Sequence, residues 1–185
     1  MSLPSNHNIS ESDLIKGCLD GDRRMQEHLY QRFSPKMYAV CLRYAGKAED
    51  AQDILQDGFV KIFKNLHMYR GDGSFEGWIR RIFVNTAIEH YRKQANLYPV
   101  TENHENLLET KELSAFDSLS MKDLMKMIQE LSPGYRTVFN LYVVEGYSHK
   151  EIAQIAGISE GTSKSQLARA KGVLQNIIKT KRTLS

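Results

Sequence analysis

Ser148-His149-Lys150-Glu151-Ile152-Ala153-Gln154-Ile155-Ala156-Gly157-Ile158-Ser159-Glu160-Gly161-Thr162-Ser163-Lys164-Ser165 is the stretch that decides the fold. Ser148 with Glu151 three residues on makes a capping box and starts a two-turn helix. Ile152, Ala153 and Ile155 turn one face of it inward. Gly157 supplies a tight turn that favours a positive φ. Ser159 caps a second helix, in which Leu167, Ala170, Leu174 and Ile177 recur at helical spacing. Two helices joined by a short glycine turn are a helix-turn-helix, and the second enters the major groove of duplex DNA by its N-terminal residues. Here those residues are Glu160, Thr162, Ser163, Lys164, Ser165 and Gln166, small and polar enough to approach bases or phosphates. Lys164, Arg169 and Lys171 suit the phosphate backbone. A helical hairpin that binds protein is the rival reading. The capped turn, the polar helix face and the absence of acids beyond Glu160 favour DNA.

Upstream, Gly146 stops a helix that begins at Ser132-Pro133, serine as N-cap and proline in the first turn, with Val138, Phe139, Leu141 and Tyr142 as its apolar contacts. Before it, Met121–Leu131 reads as a short amphipathic helix. These pieces make one compact unit, 121–185. From Ala95 to Ser120 the periodicity dissolves into Pro99, asparagines and glutamates, the pattern of a flexible linker with a short helix near its end. Charge follows the same division. Residues 161–185 carry six basic residues and no acid, whereas 101–130 carry seven acids and three lysines. A basic end behind an acidic middle suits a chain that meets a polyanion at one end.

The first 94 residues read as a second helical unit. Ser10 and Asp13 cap a helix that ends near Gly21. Asp22 to Tyr44 carries another, which Pro35 should bend or break. A third spans Ala48–Leu66, with an acidic start and an apolar stripe of Ala51, Leu55, Phe59, Ile62 and Leu66. Gly58 inside it costs about 1 kcal/mol relative to alanine, so this helix needs tertiary support. The loop Tyr69-Arg70-Gly71-Asp72-Gly73-Ser74 forbids a continuous helix, and a fourth runs from Phe75 to about Gln94. Cys18 and Cys41 fit no disulfide framework or zinc site and read as buried thiols of a reducing compartment. The start of the chain lacks the pattern of a signal peptide, and no stretch approaches a membrane span. A cytoplasmic protein without direct membrane insertion is expected. The histidines show no ligand spacing and no phosphate loop or nucleophile motif appears, so no enzyme, metal or cofactor is expected.

Tyr69, Phe75, Trp78 and Tyr91 lie among Arg70, Arg80, Arg81, Arg92 and Lys93. Rings interleaved with cations suit single-stranded nucleic acid, where bases stack and phosphates are neutralised. The bland alternative, a core of rings under a solvated charged face, is accepted for Phe83 and evenly balanced for Trp78. At this point the residues resemble a family. Glu49-Asp50-Ala51-Gln52-Asp53-Ile54-Leu55-Gln56-Asp57-Gly58-Phe59, Tyr69-Arg70-Gly71-Asp72, Phe75-Glu76-Gly77-Trp78-Ile79-Arg80-Arg81-Ile82 and Val84-Asn85-Thr86-Ala87 are similar to the second conserved region of bacterial sigma factors. Glu145-Gly146-Tyr147-Ser148, Glu151-Ile152-Ala153 and Gly157-Ile158-Ser159-Glu160-Gly161-Thr162, followed by Lys164-Ser165, resemble their fourth region. Two such regions and a linker are the layout of the extracytoplasmic-function group of the sigma-70 family.

The resemblance implies an all-α fold: a region 2 bundle (1–94), a flexible linker (95–120) and a helix-turn-helix region 4 (121–185). It implies that the chain binds core RNA polymerase and directs it to promoter DNA. Asp50, Asp53, Gln56 and Asp57 would dock on the clamp helices of the polymerase's largest subunit. Tyr69, Phe75, Trp78 and Asn85 would serve the melted −10 element, with Tyr69, Trp78 and Asn85 holding a flipped base. Ser159, Thr162, Lys164, Ser165, Arg169 and Lys171 would contact the −35 duplex. The acidic linker would run toward the RNA exit path. An anti-sigma factor, membrane-anchored, would hold the chain inactive. Two positions depart from the family. Ser163 stands where an aliphatic residue is usual, and a core serine weakens the packing of the recognition helix. Gln166 stands where arginine is common. The other reading is a two-domain helix-turn-helix regulator that binds only duplex DNA and not core polymerase.

Overall fold

The computed structural model describes residues 9–97 and 121–183; most of the expected linker, with its short helix, lies outside them. Among the described residues eight α-helices follow in order: α1 Glu11–Leu19, α2 Arg23–Tyr44, α3 Ala48–Asn65, α4 Phe75–Leu97, α5 Met121–Glu130, α6 Pro133–Phe139, α7 His149–Ala156 and α8 Glu160–Thr183. A 3₁₀ turn, Leu66–Met68, follows α3, and a π-helical turn, Asn140–Val144, extends α6. Among the described residues there is no strand, and no helix is long and apolar enough to cross a membrane.

The local chemistry explains most boundaries. Ser10 accepts from the Asp13 amide at 3.0 Å and donates its hydroxyl to the Asp13 carboxylate, while Asp22 caps α2 through the Arg24 amide. Pro35 does not break α2, which continues through it for 22 residues. A proline removes one helical hydrogen bond, and here the buried Phe33, Met37 and Val40 on either side of it anchor the helix to the core. Gly58 explains its own helical cost. A Cβ built there would stand 2.2 Å from the Phe83 ring, so α3 and α4 approach as closely as they do only because position 58 has no side chain. Cys18 and Cys41 are buried free thiols. Burial pushes them up to about 11 and about 12, which leaves them protonated and unreactive.

In the C-terminal unit Ser132 stands at the N-cap of α6, but its side chain accepts no capping bond; Pro133 alone supplies the start signal. The π turn closes with the Glu145 amide donating to the Asn140 carbonyl. It carries Asn140 and Leu141 inward and leaves Tyr142, expected as an apolar contact, 40% exposed beside Val143 and Val144. Gly146 and Gly157 both take positive φ, 79° and 70°.

The two units pack on each other, with α5 and α6 against α2 and α4 against α6 and α7. One apolar core runs from Leu14 to Ile178 through both. The C-terminal end of α2 is where they are stitched. A helix leaves its last carbonyls without intrahelical partners. Three of those near the end of α2 are taken by the other unit: Gln129 donates to Leu42 at 3.3 Å, Asn140 to Arg43 at 2.7 Å and Arg136 to Ala45 at 2.7 Å. Arg136 is 4% exposed, and its cation faces the negative end of the α2 dipole. Burial pulls its pKa down while the nearby Asp50 raises it.

Candidate nucleic-acid interface

Around the glycine loop, three rings form a cluster. Phe75 and Trp78 stack with centroids 5.8 Å apart and planes 11° from parallel. Tyr69 leans on both, at 5.0 and 5.5 Å. The Tyr69 hydroxyl donates to the Gly73 carbonyl at 3.0 Å, and Ser74 caps α4 through the Gly77 amide. Gly71 and Gly73, at φ of 80° and 87°, allow the tight path that brings Tyr69 back over α4. Phe75 was expected on the DNA-facing surface, but the structure corrects this. It is completely buried, edge-on to Phe33 at 5.6 Å, because the first residue of α4 points into the bundle. Its place is beneath Trp78, as support. Trp78 and Tyr69 keep part of their surface in solvent, and Asn85, two turns beyond Trp78 on α4, is exposed.

On α3, Asp53, Gln56 and Asp57 are exposed and Asp50 is half-buried. A groove between α2 and α3, lined by Tyr30, Tyr38, Gln52 and Gln56 among others, runs beside them. No local signal links the tyrosines to the acidic motif, because they lie on α2, 20 and 12 residues before Asp50. Two of the four expected docking residues face other parts of the fold. The Asp57 carboxylate meets His90 Nε2 of α4 at 3.1 Å, and Asp50 lines the same cavity as Arg136 and Pro133 of the C-terminal unit.

The helix-turn-helix is built by its caps. The Glu151 amide donates to Ser148 Oγ at 3.3 Å, and the Ser148 amide donates back to the Glu151 carboxylate at 2.8 Å. The Ser148 hydroxyl and amide hold the Glu151 carboxyl below the usual carboxylate range. Ser159 accepts from the Thr162 amide at 2.9 Å, so it is a cap first. Lys164 is exposed and bridges Glu160 one turn back at 2.8 Å; Thr162, Ser165 and Lys171 are half-buried. Arg169 does not project freely as expected. It leans toward α6, with Nη1 3.5 Å from the Tyr135 hydroxyl and Nε buried, because α6 packs along this part of α8. Gln166 lies over Gly134, where a Cβ would stand 3.1 Å from its amide nitrogen.

Ser163 is completely buried in α8, and its Oγ shares a 2.9 Å hydrogen bond with His149 Nδ1 of α7. An unpartnered buried hydroxyl costs about 1–3 kcal/mol, so the expected weakening is offset by the His149 partner. His149 in turn stacks on Tyr142, centroids 4.6 Å apart and planes at 22°. No local signal pairs positions 149 and 163; only the fold of the turn does. Glu145 was likewise noted only as part of a motif, yet it accepts two bonds from Arg80 of α4. Among the described residues no cluster of potential metal ligands occurs.

Residues 29–97 match Sigma-70 region 2, and residues 121–174 match Sigma-70, region 4. The chain is 27% identical over 180 residues to the RNA polymerase sigma-H factor of Pseudomonas aeruginosa, covering 91% of this chain and 93% of that one. It is 28% identical over 180 residues to the ECF RNA polymerase sigma-E factor of Escherichia coli strain K12, covering 91% and 94%. Among solved structures, the sigma factor RpoE in complex with the anti-sigma factor NepR, from Bartonella quintana, is similar in fold. Its TM-score is 0.50 at 23% identity, over 83% of this chain and 96% of that one.

Proposed function

The chain belongs to the extracytoplasmic-function group of the sigma-70 family and is an RNA polymerase sigma factor, and from that premise we propose how its residues divide the work. The exposed face of α3, centred on Asp53 and Gln56, docks on the clamp helices of core polymerase. The α2–α3 groove beside it offers tyrosine rings to the same partner. The ring cluster captures a flipped base of the −10 element: Trp78 and Tyr69 offer stacking surface, Phe75 supports them from below, and Asn85 reads the edge of the base. The first turns of α8, with Thr162, Lys164 and Ser165, meet the −35 duplex, with Lys171 further along on phosphate. Ser159 keeps its cap and presents the helix N-terminus.

The observation that carries this reading is the pairing of a partly exposed aromatic shelf with a capped helix-turn-helix in one chain. A regulator that only binds duplex DNA has no need of the shelf. An anti-sigma factor anchored in a membrane is the proposed regulator, since the polymerase-binding and DNA-binding faces belong to two units that such a partner can cover together. Run-off transcription with core polymerase and a genomic library tests the whole. Initiation at discrete sites that depends on the chain is expected; binding of duplex DNA without any start site returns the regulator alternative.

A further inference from the structure

Ser163 lies one turn into the recognition helix, between Thr162 and Lys164. A buried aliphatic side chain at such a position packs against α7 with little directional demand. A buried hydroxyl is different: it is satisfied only by a partner at about 3 Å and in line. That partner is His149, the first residue of α7, fourteen residues earlier and across the Gly157 turn. Tyr142 lies flat against the imidazole and fixes the plane in which Nδ1 points. One ring therefore ties together three elements, the π turn, α7 and α8. Burial, then Lys164 and Lys171 of α8, pull the imidazole below its ordinary pKa, while Glu160 opposes them.

We propose that His149 is a positioning residue for promoter reading: through its bond to Ser163 it sets the angle of α8 against α7, and so the sequence preference at the −35 element rather than the overall grip on DNA. Base-edge contacts need side chains held to within about half an ångström by supporting groups, whereas phosphate contacts tolerate more. Loss of the tie should therefore cost discrimination and spare non-specific affinity. The proposal rests on the reading of α8 as the −35 helix.

The test uses the full chain with core RNA polymerase. The parent first selects its preferred −35 duplex from a randomised promoter library, and the ratio of transcription from the selected to a scrambled −35 is then measured for each variant. His149→Ala should lower the ratio about five- to tenfold, the loss of roughly one hydrogen bond, while the salt slope of DNA binding is unchanged because no phosphate contact is lost. His149→Asn, whose amide nitrogen falls near the place of Nδ1, should restore most of the preference. His149→Gln, which reaches toward Nε2, should not. Ser163→Ala should produce the same loss, and His149→Ala should add little on top of it. Thermal unfolding is followed for every variant. The imidazole ¹⁵N shifts of His149, compared between the parent and Ser163→Ala, report the bond without any unfolding. A ratio unchanged in His149→Ala overturns the proposal, as do equal behaviour of the Asn and Gln variants, a salt slope flattened by about one unit, or ¹⁵N shifts indifferent to Ser163. If the parent itself selects no −35 sequence, the reading of α8 falls and the proposal falls with it.

Discussion

The Glu145 carboxylate accepts two hydrogen bonds from the guanidinium of Arg80, at 3.0 and 2.8 Å across 65 residues of sequence. Arg43 adds a third contact at 3.7 Å, and the Glu145 side chain is only 10% exposed. The pair joins α4 to the unit that carries the helix-turn-helix. In the proposed function those units bind promoter elements some 25 positions apart, roughly 85 Å at 3.4 Å per base pair. Two units in hydrogen-bonding contact cannot occupy both, so on that reading this arrangement is not the promoter-bound one. Glu145→Ala should open it. Two arginines left facing each other lose about 2 kcal/mol of packing free energy, after discounting for the partial exposure of Arg80. Energy transfer between dyes placed on α3 and α8 should report a longer mean distance in the variant than in the parent; an identical distribution means the pair does not hold the units together.

Gly58 is a test of the fold alone. Alanine gains about 1 kcal/mol in helix propensity, but its methyl would have to displace the Phe83 ring, which is completely buried. Overpacking of this kind costs about 1–3 kcal/mol. Gly58→Ala should therefore lower stability by up to about 2 kcal/mol in a denaturant titration, against the direction that propensity gives.

Asp53 is the clean probe of polymerase docking, because it is exposed while Asp57 is held by His90 and Asp50 faces the cavity beside Arg136. Asp53→Lys should weaken competition for core polymerase about tenfold or more and leave the thermal transition in place. Asp57→Asn should show both a binding loss and a small stability loss from the broken α3–α4 contact. Undiminished competition by Asp53→Lys would remove α3 from the docking surface.

What the sequence made legible follows from how local each signal is. The capping box at Ser148, the turn at Gly157 and the loop glycines 71 and 73 all act within a few residues, and each stands as expected. Periodicity showed which helices have an apolar stripe but not which residue at a helix end points inward, hence Phe75. The exception at Pro35 arises because packing at Phe33 and Met37 outweighs one missing hydrogen bond. Arg169, His149 and Glu145 have partners 34, 14 and 65 residues away. Nothing in a linear pattern reports such pairs, and they decide whether a polar side chain is free for a ligand or occupied by the fold.

The capping box carries a pH signature. Glu151 titrates below the usual carboxylate range because the Ser148 hydroxyl and amide bond its ionised form. A carboxyl depressed in the folded state contributes stability that is present above its unfolded pKa and lost as pH falls through its folded pKa. Ser148→Ala should return the Glu151 midpoint, read by carboxyl NMR, toward the ordinary value and cost about 1 kcal/mol at neutral pH. The stability difference between parent and variant should shrink in acid. A difference constant with pH would show that the cap acts without the carboxylate.

Strand opening separates a sigma factor from an ordinary regulator, and Asn85 is where it is best probed. Seven residues after Trp78 is close to two turns of 3.6, so both side chains leave α4 on one face. Trp78 is partly buried against Phe75 and Tyr69, so Trp78→Ala changes the fold as well as the shelf and needs a melting curve beside it. Asn85 is exposed, so its truncation leaves the core packing in place. A lost edge hydrogen bond costs about 0.5–1.5 kcal/mol, up to about one power of ten in the opening equilibrium. Asn85→Ala should bind promoter in the closed complex as the parent does, yet show weaker permanganate reactivity of thymines in the −10 region. A template already melted across −10 should restore part of the yield, since base pairing no longer opposes capture. Equal reactivity in parent and variant on duplex promoter would place base recognition elsewhere on α4.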